Sequence, residues 1–382
     1  MFITWTLTPS VRAGINLPGS LVFSNRKDKE PFELLTHEQQ LQHLQSVAQR
    51  ALPAWGIPED AELRLLSLSE NATYLVTSAA SPVRDAAGEP QPVILRVHRT
   101  GYHSKNAIRT ELAWMKALQA EEKLATPQAV SALNGEIIQT IETPALKESR
   151  FAVLFELIPG EAPDESRLIE PFKRLGAVTA RMHRHARQWP RPDYFERLIW
   201  DFDGCLGAVQ LWGDWRDGPG LCADGKVVLE NAQVQIEQRL QAYGRNAGKF
   251  GLIHADLRLA NLLESDGETR VIDFDDAGLG WFMYDLASAV SFIETRADLP
   301  ELIQAWIEGY RTQGQLSAED IAEIPTFIML RRMTLLAWIG SHSKTELARE
   351  QGEEFTQGTL KLAARYLQGE LLAPPGGEQE TP

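Results

Sequence analysis

The chain has 382 residues, 43% of them apolar and 24% charged, a balance that excludes a disordered chain, a fibrous repeat and a disulfide-stapled miniprotein. Acidic residues outnumber basic ones 52 to 38, for a formal charge of −14. A field of that sign repels nucleic-acid backbones, so no nucleic-acid partner is expected; it suits a cationic substrate as well as it suits plain solubility.

Residues 1 to about 35 are irregular, with Gly14, Pro18, Gly19 and Pro31 breaking any periodicity. Thr36-His37-Glu38-Gln39 has the form of a capping box, and Leu41, Leu44, Val47 and Ala51 follow at helical spacing until Pro53 and Gly56 end the helix. Residues 1–60 therefore read as an N-terminal extension carrying one helix. Over 61–157 the texture changes to short strands at 63–68, 72–76, 93–97, 137–141 and 151–157, with one helix at 108–118. Pro159-Gly160 punctuates the chain, and residues 158–370 are mostly helical, with helices expected at 172–187, 228–243, 284–293, 299–310, 317–324 and 326–339. The tail over 371–382, rich in Pro and Gly, is expected to be disordered. The fold class is α+β in two lobes, a small antiparallel sheet lobe followed by a larger, mostly helical one.

Cys205 and Cys222 form no C-x-x-C pair, which excludes a thiolate zinc site and a disulfide framework and fits a reducing cytoplasm. Met1-Phe2-Ile3-Thr4-Trp5 lacks the cationic region of a signal peptide, and apolar runs such as 335–339 fall far short of the roughly 18 residues a membrane span needs. A cytoplasmic protein without membrane association is the expectation.

The stretch from Gly251 to Asp276 carries the chemistry. Ser265-Asp266-Gly267-Glu268 is a turn signal between two short apolar strands. In a hairpin centred on Gly267, Asn261 and Asp273 face each other, each six residues from the centre, and a slip of one residue leaves them neighbours. A carboxamide oxygen beside a carboxylate is a pair of hard ligands of the kind Mg2+ accepts together with phosphate oxygens. Asp256, five residues before the asparagine, is a separate carboxylate able to accept a hydroxyl proton. A loop Asp, an Asn at +5 and a second Asp across a turn are seldom demanded together by structure alone.

The pattern H-x-D-x-x-x-x-N followed by two apolar residues and Asp, spelled here His254-Ala255-Asp256 through Asn261 and Val271-Ile272-Asp273, resembles the catalytic and metal loops of the kinase fold. The short spacing to Asp273 resembles the aminoglycoside phosphotransferase/choline kinase superfamily. Ile108-Arg109-Thr110-Glu111-Leu112-Ala113-Trp114 and Asp273-Phe274-Asp275-Asp276-Ala277 are most similar to its bacterial stress-response serine/threonine kinase group. The resemblance covers about residues 60–350 and implies a bilobal protein-kinase-like fold and an ATP- and Mg2+-dependent phosphotransferase acting on a hydroxyl of a small molecule or of protein Ser/Thr. It implies that Asp256 is the catalytic base or hydroxyl-orienting residue and that Asn261 and Asp273 hold the metal. It places Arg96 as the phosphate-contacting strand cation, with Glu111 as its ion-pair partner. Ser69 and Asn71 stand where a glycine-rich loop would, and the backbone of Glu156 and Ile158 is the hinge that meets the adenine edge.

Three departures are visible: no G-x-G-x-x-G loop, Arg in place of Lys at 96, and Asp275 where protein kinases have the glycine of D-F-G. Asp275 either assists at the metal or caps a turn. Asp201-Phe202-Asp203-Gly204 precedes the H-x-D loop and so cannot be the metal segment. Trp200, Trp212 and Trp215 near it are either core or a cation-π wall for an ammonium substrate. Asp285 resembles the buried aspartate that braces the catalytic loop. His183 and His185 read as helix C-terminal charges, and Arg331-Arg332 with Ser341-His342 as candidates to line the acceptor site. Two other functions are open: a nucleotide-binding pseudokinase working through protein partners, and a metal-dependent hydrolase using the same aspartates. Oligomeric state is not legible.

Overall fold

The computed structural model describes residues 32–68, 71–143, 146, 148–342 and 345–373. Ser69, most of the N-terminal extension and the tail from 374 lie outside the described residues. The chain divides into two compact units, Met1–Lys116 with Thr126–Glu161, and Ala117–Ala125 with Ala162–Pro382.

The first unit is a five-stranded antiparallel sheet in the order β1-β2-β3-β5-β4, from β1 (Glu62–Leu68), β2 (Ala72–Thr77), β3 (Val93–Val97), β4 (Gln139–Thr143) and β5 (Glu148–Glu156). Helix α1 (His37–Ala51) starts at the capping box read from sequence: Thr36 Oγ1 accepts from the Gln39 amide while the Gln39 side chain accepts from the Thr36 amide. Leu44, Val47, Ala48 and Ala51 of α1 pack with Tyr74, Val76, Val93, Leu95, Val97, Ala152 and Leu154 in one core. Thus α1, read as part of an extension, is built into the sheet's own core. The two-residue side-chain period of a strand turns Ile94 and Arg96 of β3 to the other face, beside Val153 and Phe155 of β5. β3 is buried along its whole length, which explains an apolar run without alternation. Helix α2 (Lys105–Glu122) spans and extends the expected 108–118.

The second unit contains α3 (Ile169–Gln188), β6 (Leu198–Trp200), α4 (Phe202–Cys205), α5 (Ala223–Tyr243), β7 (Phe250–Ile253), the hairpin β8 (Leu262–Ser265) and β9 (Glu268–Val271), and β10 (Gly278–Trp281). Then come α6 (Met283–Ala289), α7 (Leu299–Arg311), α8 (Ala318–Ala322), α9 (Ile324–Ser341) and α10 (Glu346–Leu367). β10 joins β6 in parallel and β7 antiparallel in a small sheet that the sequence reading did not contain. Two of its strands, β6 and β10, have three and four residues and little β-branched character, too short for periodicity to register. Helix α10 was also missed. Its first half reads as charged loop, and Gly352 at φ 44° kinks it, yet Phe355, Leu362, Ala363 and Tyr366 of its second half are buried. Leu371, assigned to a disordered tail, is buried as well.

Helices α3 and α7 cross very closely. A Cβ on Gly309 would stand 1.8 Å from the Lys173 carbonyl oxygen, and one on Gly176 would stand 2.0 Å from that of Trp306. Helix α9 is buried from Ile324 to Ile339 apart from Pro325, apolar all round except for the hydroxyls of Thr326 and Thr334 and the two charges, Arg331 and Arg332. Those two cations inside a buried helix must have partners, and they lead to the site.

Candidate active site

β7 delivers His254 into the interior, where its ring packs on Phe274 with centroids 4.5 Å apart. The Asp256 amide donates to His254 Nδ1 at 3.2 Å, so Nε2 carries the proton and donates to the Ile272 carbonyl at 3.2 Å. This neutral histidine ties the catalytic loop to the strand that leads to Asp273. Ala255 adopts a left-handed backbone at φ 68°, a conformation that costs about 1–2 kcal/mol for an L-residue. Asp285 of α6 offsets it: its Oδ1 accepts from the Ala255 amide at 2.7 Å and its Oδ2 from the His254 amide at 3.1 Å. Ser288 Oγ accepts from the Leu257 amide at 2.9 Å. Asp285 thus occupies the bracing position the resemblance gave it.

His183 departs from its sequence reading. It is fully buried on α3, with Nε2 2.9 Å from Asp285 Oδ2 and Nδ1 3.1 Å from the Tyr310 hydroxyl. Burial holds its pKa below the usual imidazole value, against the opposing pull of Asp285. It is a neutral strut behind the loop. His185 is also buried and lies 3.1 Å from a Glu121 oxygen, so neither histidine is an exposed helix-end charge.

The Asp256 carboxylate is gripped from three directions. Its Oδ2 accepts from Asn261 Nδ2 at 2.7 Å and from Arg258 Nε at 3.2 Å, and its Oδ1 accepts from Arg331 Nη2 at 2.5 Å. Asn261 Nδ2 also donates to the Asp256 carbonyl at 2.9 Å. Burial pushes the Asp256 carboxyl up, but the guanidiniums of Arg258 and Arg331 more than cancel this and leave it below the usual carboxylate range. Arg331 is anchored in turn by Ser291 Oγ at 3.1 Å and lies over the Trp212 ring at 4.9 Å. Arg332 goes elsewhere, to Glu294 at 2.7 Å and Thr359 at 3.0 Å. Ser341 Oγ donates to the Trp212 carbonyl at 2.6 Å. Arg332 and Ser341 thus have partners away from Asp256, while Arg331 meets the Asp256 carboxylate itself. The signal for Arg331 was present in the sequence as a cation inside an apolar helix; its partner was not.

The hairpin register differs by one residue from the expected one. Leu262 pairs Val271 and Ser265 pairs Glu268, so the turn centres between Asp266 and Gly267 and the Ile272 amide donates to the Asn261 carbonyl at 3.0 Å. A two-residue turn with both residues at positive φ, 53° and 77°, is the reason. Asn261 thus faces Ile272, with Asp273 the next residue along. Asp273 is exposed and left-handed at φ 61°, which breaks the strand alternation at that point. The Asn261 side chain has committed its nitrogen to Asp256, leaving Oδ1 as its metal-ligand candidate, and Asp273 carries a carboxylate. These are two hard oxygen donors suited to a divalent cation completed by phosphate and water. Among the described residues no group of three or more His, Cys, Asp or Glu stands ready to hold a metal alone. Asp275 is buried, unlike Asp273.

Trp200 and Trp215 are fully buried and Trp212 nearly so, which favours the core reading over a cation-π wall. Asp201 caps α4 by accepting from the Gly204 amide. Cys205 is buried and its thiol is pushed up to about 12, so it is not a nucleophile at neutral pH.

In the first unit, Arg96 and Glu111 are both buried, and one guanidinium nitrogen of Arg96 lies 2.8 Å from each Glu111 oxygen. Asn71 Oδ1 accepts from the Arg99 amide at 3.1 Å. The Glu156 amide donates to the Gln128 carbonyl at 2.9 Å, so any contact with an adenine edge falls to its carbonyl and to the amide of Ile158.

Comparison with known proteins agrees with this geometry. The profile of the phosphotransferase enzyme family matches residues 62–321. The chain is similar to the structure of a microcompartment-associated aminopropanol kinase, with 40% identity and a TM-score of 0.77 over 86% of this chain and 99% of that one. It is 24% identical over 328 residues to the amicoumacin kinase of Bacillus subtilis (strain 168), covering 83% of this chain and 90% of that one. A solved amicoumacin kinase with AMP-PNP and Ca2+ is similar in fold, at 22% identity and a TM-score of 0.68 over 85% and 96% of the two chains. These findings support the superfamily and do not carry the finer likeness to the stress-response group. Together with the Asp256 loop, they show that the chain belongs to the phosphotransferase enzyme family, in the aminoglycoside phosphotransferase/choline kinase superfamily, and is a kinase of hydroxyl groups.

Proposed function

We propose that the protein transfers the γ-phosphoryl group of ATP, with Mg2+ as the divalent ion, to the hydroxyl of a small amino alcohol. The observation that carries this reading is the Asp256 carboxylate, fixed on both oxygens by Asn261, Arg258 and Arg331 inside an H-x-D-x-x-x-x-N loop. The acceptor class is supported by 40% identity to an aminopropanol kinase across nearly all of that protein, and by a charge of −14 that suits an ammonium group.

A carboxylate held by two guanidiniums is ionised and weakly basic. It orients the acceptor hydroxyl and takes its proton late, as fits a loose phosphoryl-transfer transition state in which positioning matters more than deprotonation. Asn261 Oδ1 and the Asp273 carboxylate would hold the metal, which when bound neutralises phosphate charge. In the first unit, Arg96 is assigned to the triphosphate, held in one orientation by Glu111. Ser69 and the Asn71 amide nitrogen are assigned to the same phosphates, and the Glu156 carbonyl and Ile158 amide to the adenine edge.

The test is purified protein with ATP and Mg2+ against a panel of amino alcohols, homoserine, sugars and a serine peptide, with ADP and phosphorylated product measured together. Acceptor-dependent ADP highest with an amino alcohol supports the reading. Turnover confined to sugars or peptide overturns the acceptor class, and nucleotide binding without turnover on any acceptor overturns the transfer itself.

A further inference from the structure

The loop that follows Asp273 is held from behind by two side chains that the kinase motifs do not include. Residues 274–277 lie between β9 and β10, so their carbonyls have no ladder to join. Arg197, just before β6, donates from Nε to the Ala277 carbonyl and from Nη2 to the carbonyls of Asp275 and, at 3.4 Å, Phe274. Trp200, at the end of β6, donates from Nε1 to the Asp276 carbonyl at 2.7 Å. Four consecutive carbonyls are thus engaged by two side chains of one short strand segment. That segment then continues into parallel pairing with β10, Leu198 against Gly278 and Trp200 against Gly280.

We propose that Arg197 and Trp200 are positioning residues for the metal-binding carboxylate of Asp273, a clamp that holds the segment after it in a single conformation. The inference rests on the reading of Asp273 as a metal ligand. Asp273 is left-handed at φ 61°, and a strained backbone persists only where its surroundings over-determine it. Anchoring residues 274–277 supplies that constraint on the C-terminal side, as the Ile272 amide bonded to Asn261 does on the other. A planar guanidinium presents five N–H donors in a fixed fork spread over three nitrogens, where a lysine ammonium offers three from a single atom, and the indole N–H is a donor with no competing acceptor role. The clamp also explains how Asp275 replaces the glycine of D-F-G: with the segment held, no glycine hinge is required there.

The test is calorimetric binding of ADP and of AMP-PNP to the wild type, Arg197→Met, Trp200→Phe and Asp273→Asn, each with and without Mg2+. Support outside the ligand shell is typically worth about 10-fold or more in metal affinity. Arg197→Met is therefore expected to lose about 10-fold of the Mg2+-dependent gain in nucleotide affinity while metal-free affinity stays within about 2-fold. Trp200→Phe is expected to lose a smaller part. A folded Arg197→Met with an unchanged Mg2+-dependent gain overturns the clamp. If Asp273→Asn also retains the gain, the reading of Asp273 as a ligand fails with it; if Asp273→Asn loses the gain, the clamp alone fails. Should Arg197→Met lose cooperative thermal unfolding, Arg197→Lys gives the same comparison, with a partial loss expected and wild-type behaviour overturning the proposal.

Discussion

Asp256 and its three partners form a unit in which each residue has a separable task. In the proposed mechanism Asp256 orients the hydroxyl by its charge, which Asp256→Asn removes while keeping the shape, so kcat is expected to fall at least 100-fold while nucleotide affinity changes little; a steady-state assay beside calorimetric binding checks both. Arg331 is buried with its cation on Asp256 Oδ1, and removing one member of a buried pair leaves the other uncompensated. Arg331→Met is expected to destabilise the fold by roughly 3–5 kcal/mol, read from urea unfolding, and to lower kcat more than it raises the KM for ATP. A variant of wild-type stability and activity would show that the ion pair does no work. The sequence singled out Asp256, Asn261 and Asp273 as candidates because chemistry ties residue type to spacing within a short segment. Arg331 is 75 positions from Asp256, and no local rule connects them.

At the scale of elements, two backbone devices set the loop. Asp285 spends its oxygens on the amides of His254 and Ala255 and on the His183 ring, so Asp285→Ala strips three buried groups of their partner. Each unsatisfied buried group costs about 1–3 kcal/mol. The expected result is a lower thermal midpoint together with a kcat loss that saturating substrate does not restore. The α3–α7 crossing depends on bare glycines at 176 and 309, where a methyl group would overlap a backbone carbonyl. Gly309→Ala must push the helices apart and is expected to cost at least as much as core overpacking, about 1–3 kcal/mol, measurable by urea denaturation. Of the elements, α1 and α3 were legible because their apolar periods run long enough to register, and the sheet strands of the first unit because β-rich apolar runs stand between turn signals. β6, β10 and α10 were not: two are too short, and α10 is interrupted by Gly352, with Ala348 buried before the kink and Phe355, Leu362, Ala363 and Tyr366 after it.

For the molecule as a whole, the buried neutral His183 sets a pH dependence. Its pKa is lowered in the fold, so below about pH 6.5 the unfolded chain binds a proton that the folded one refuses. This contribution to stability is complete above the ordinary imidazole range and erodes as pH falls, by up to about 1.4 kcal/mol per pH unit. His183→Gln is expected to flatten the decline between pH 7 and pH 5 in urea unfolding, and an unchanged slope would remove His183 as its source. Among the described residues no helix is long and apolar enough to cross a membrane. By itself, the amino-acid order determined the fold class and the spacing of Asp256, Asn261 and Asp273, since these follow from local period and turn chemistry, while the Arg96–Glu111 pair followed only from the family resemblance. Only tertiary structure decided the partners of Arg331 and His183, and the bonds of Arg197 and Trp200 to the segment after Asp273. Those contacts join residues tens to more than a hundred positions apart, and burial, which no local pattern encodes, is what makes their polar groups seek one another.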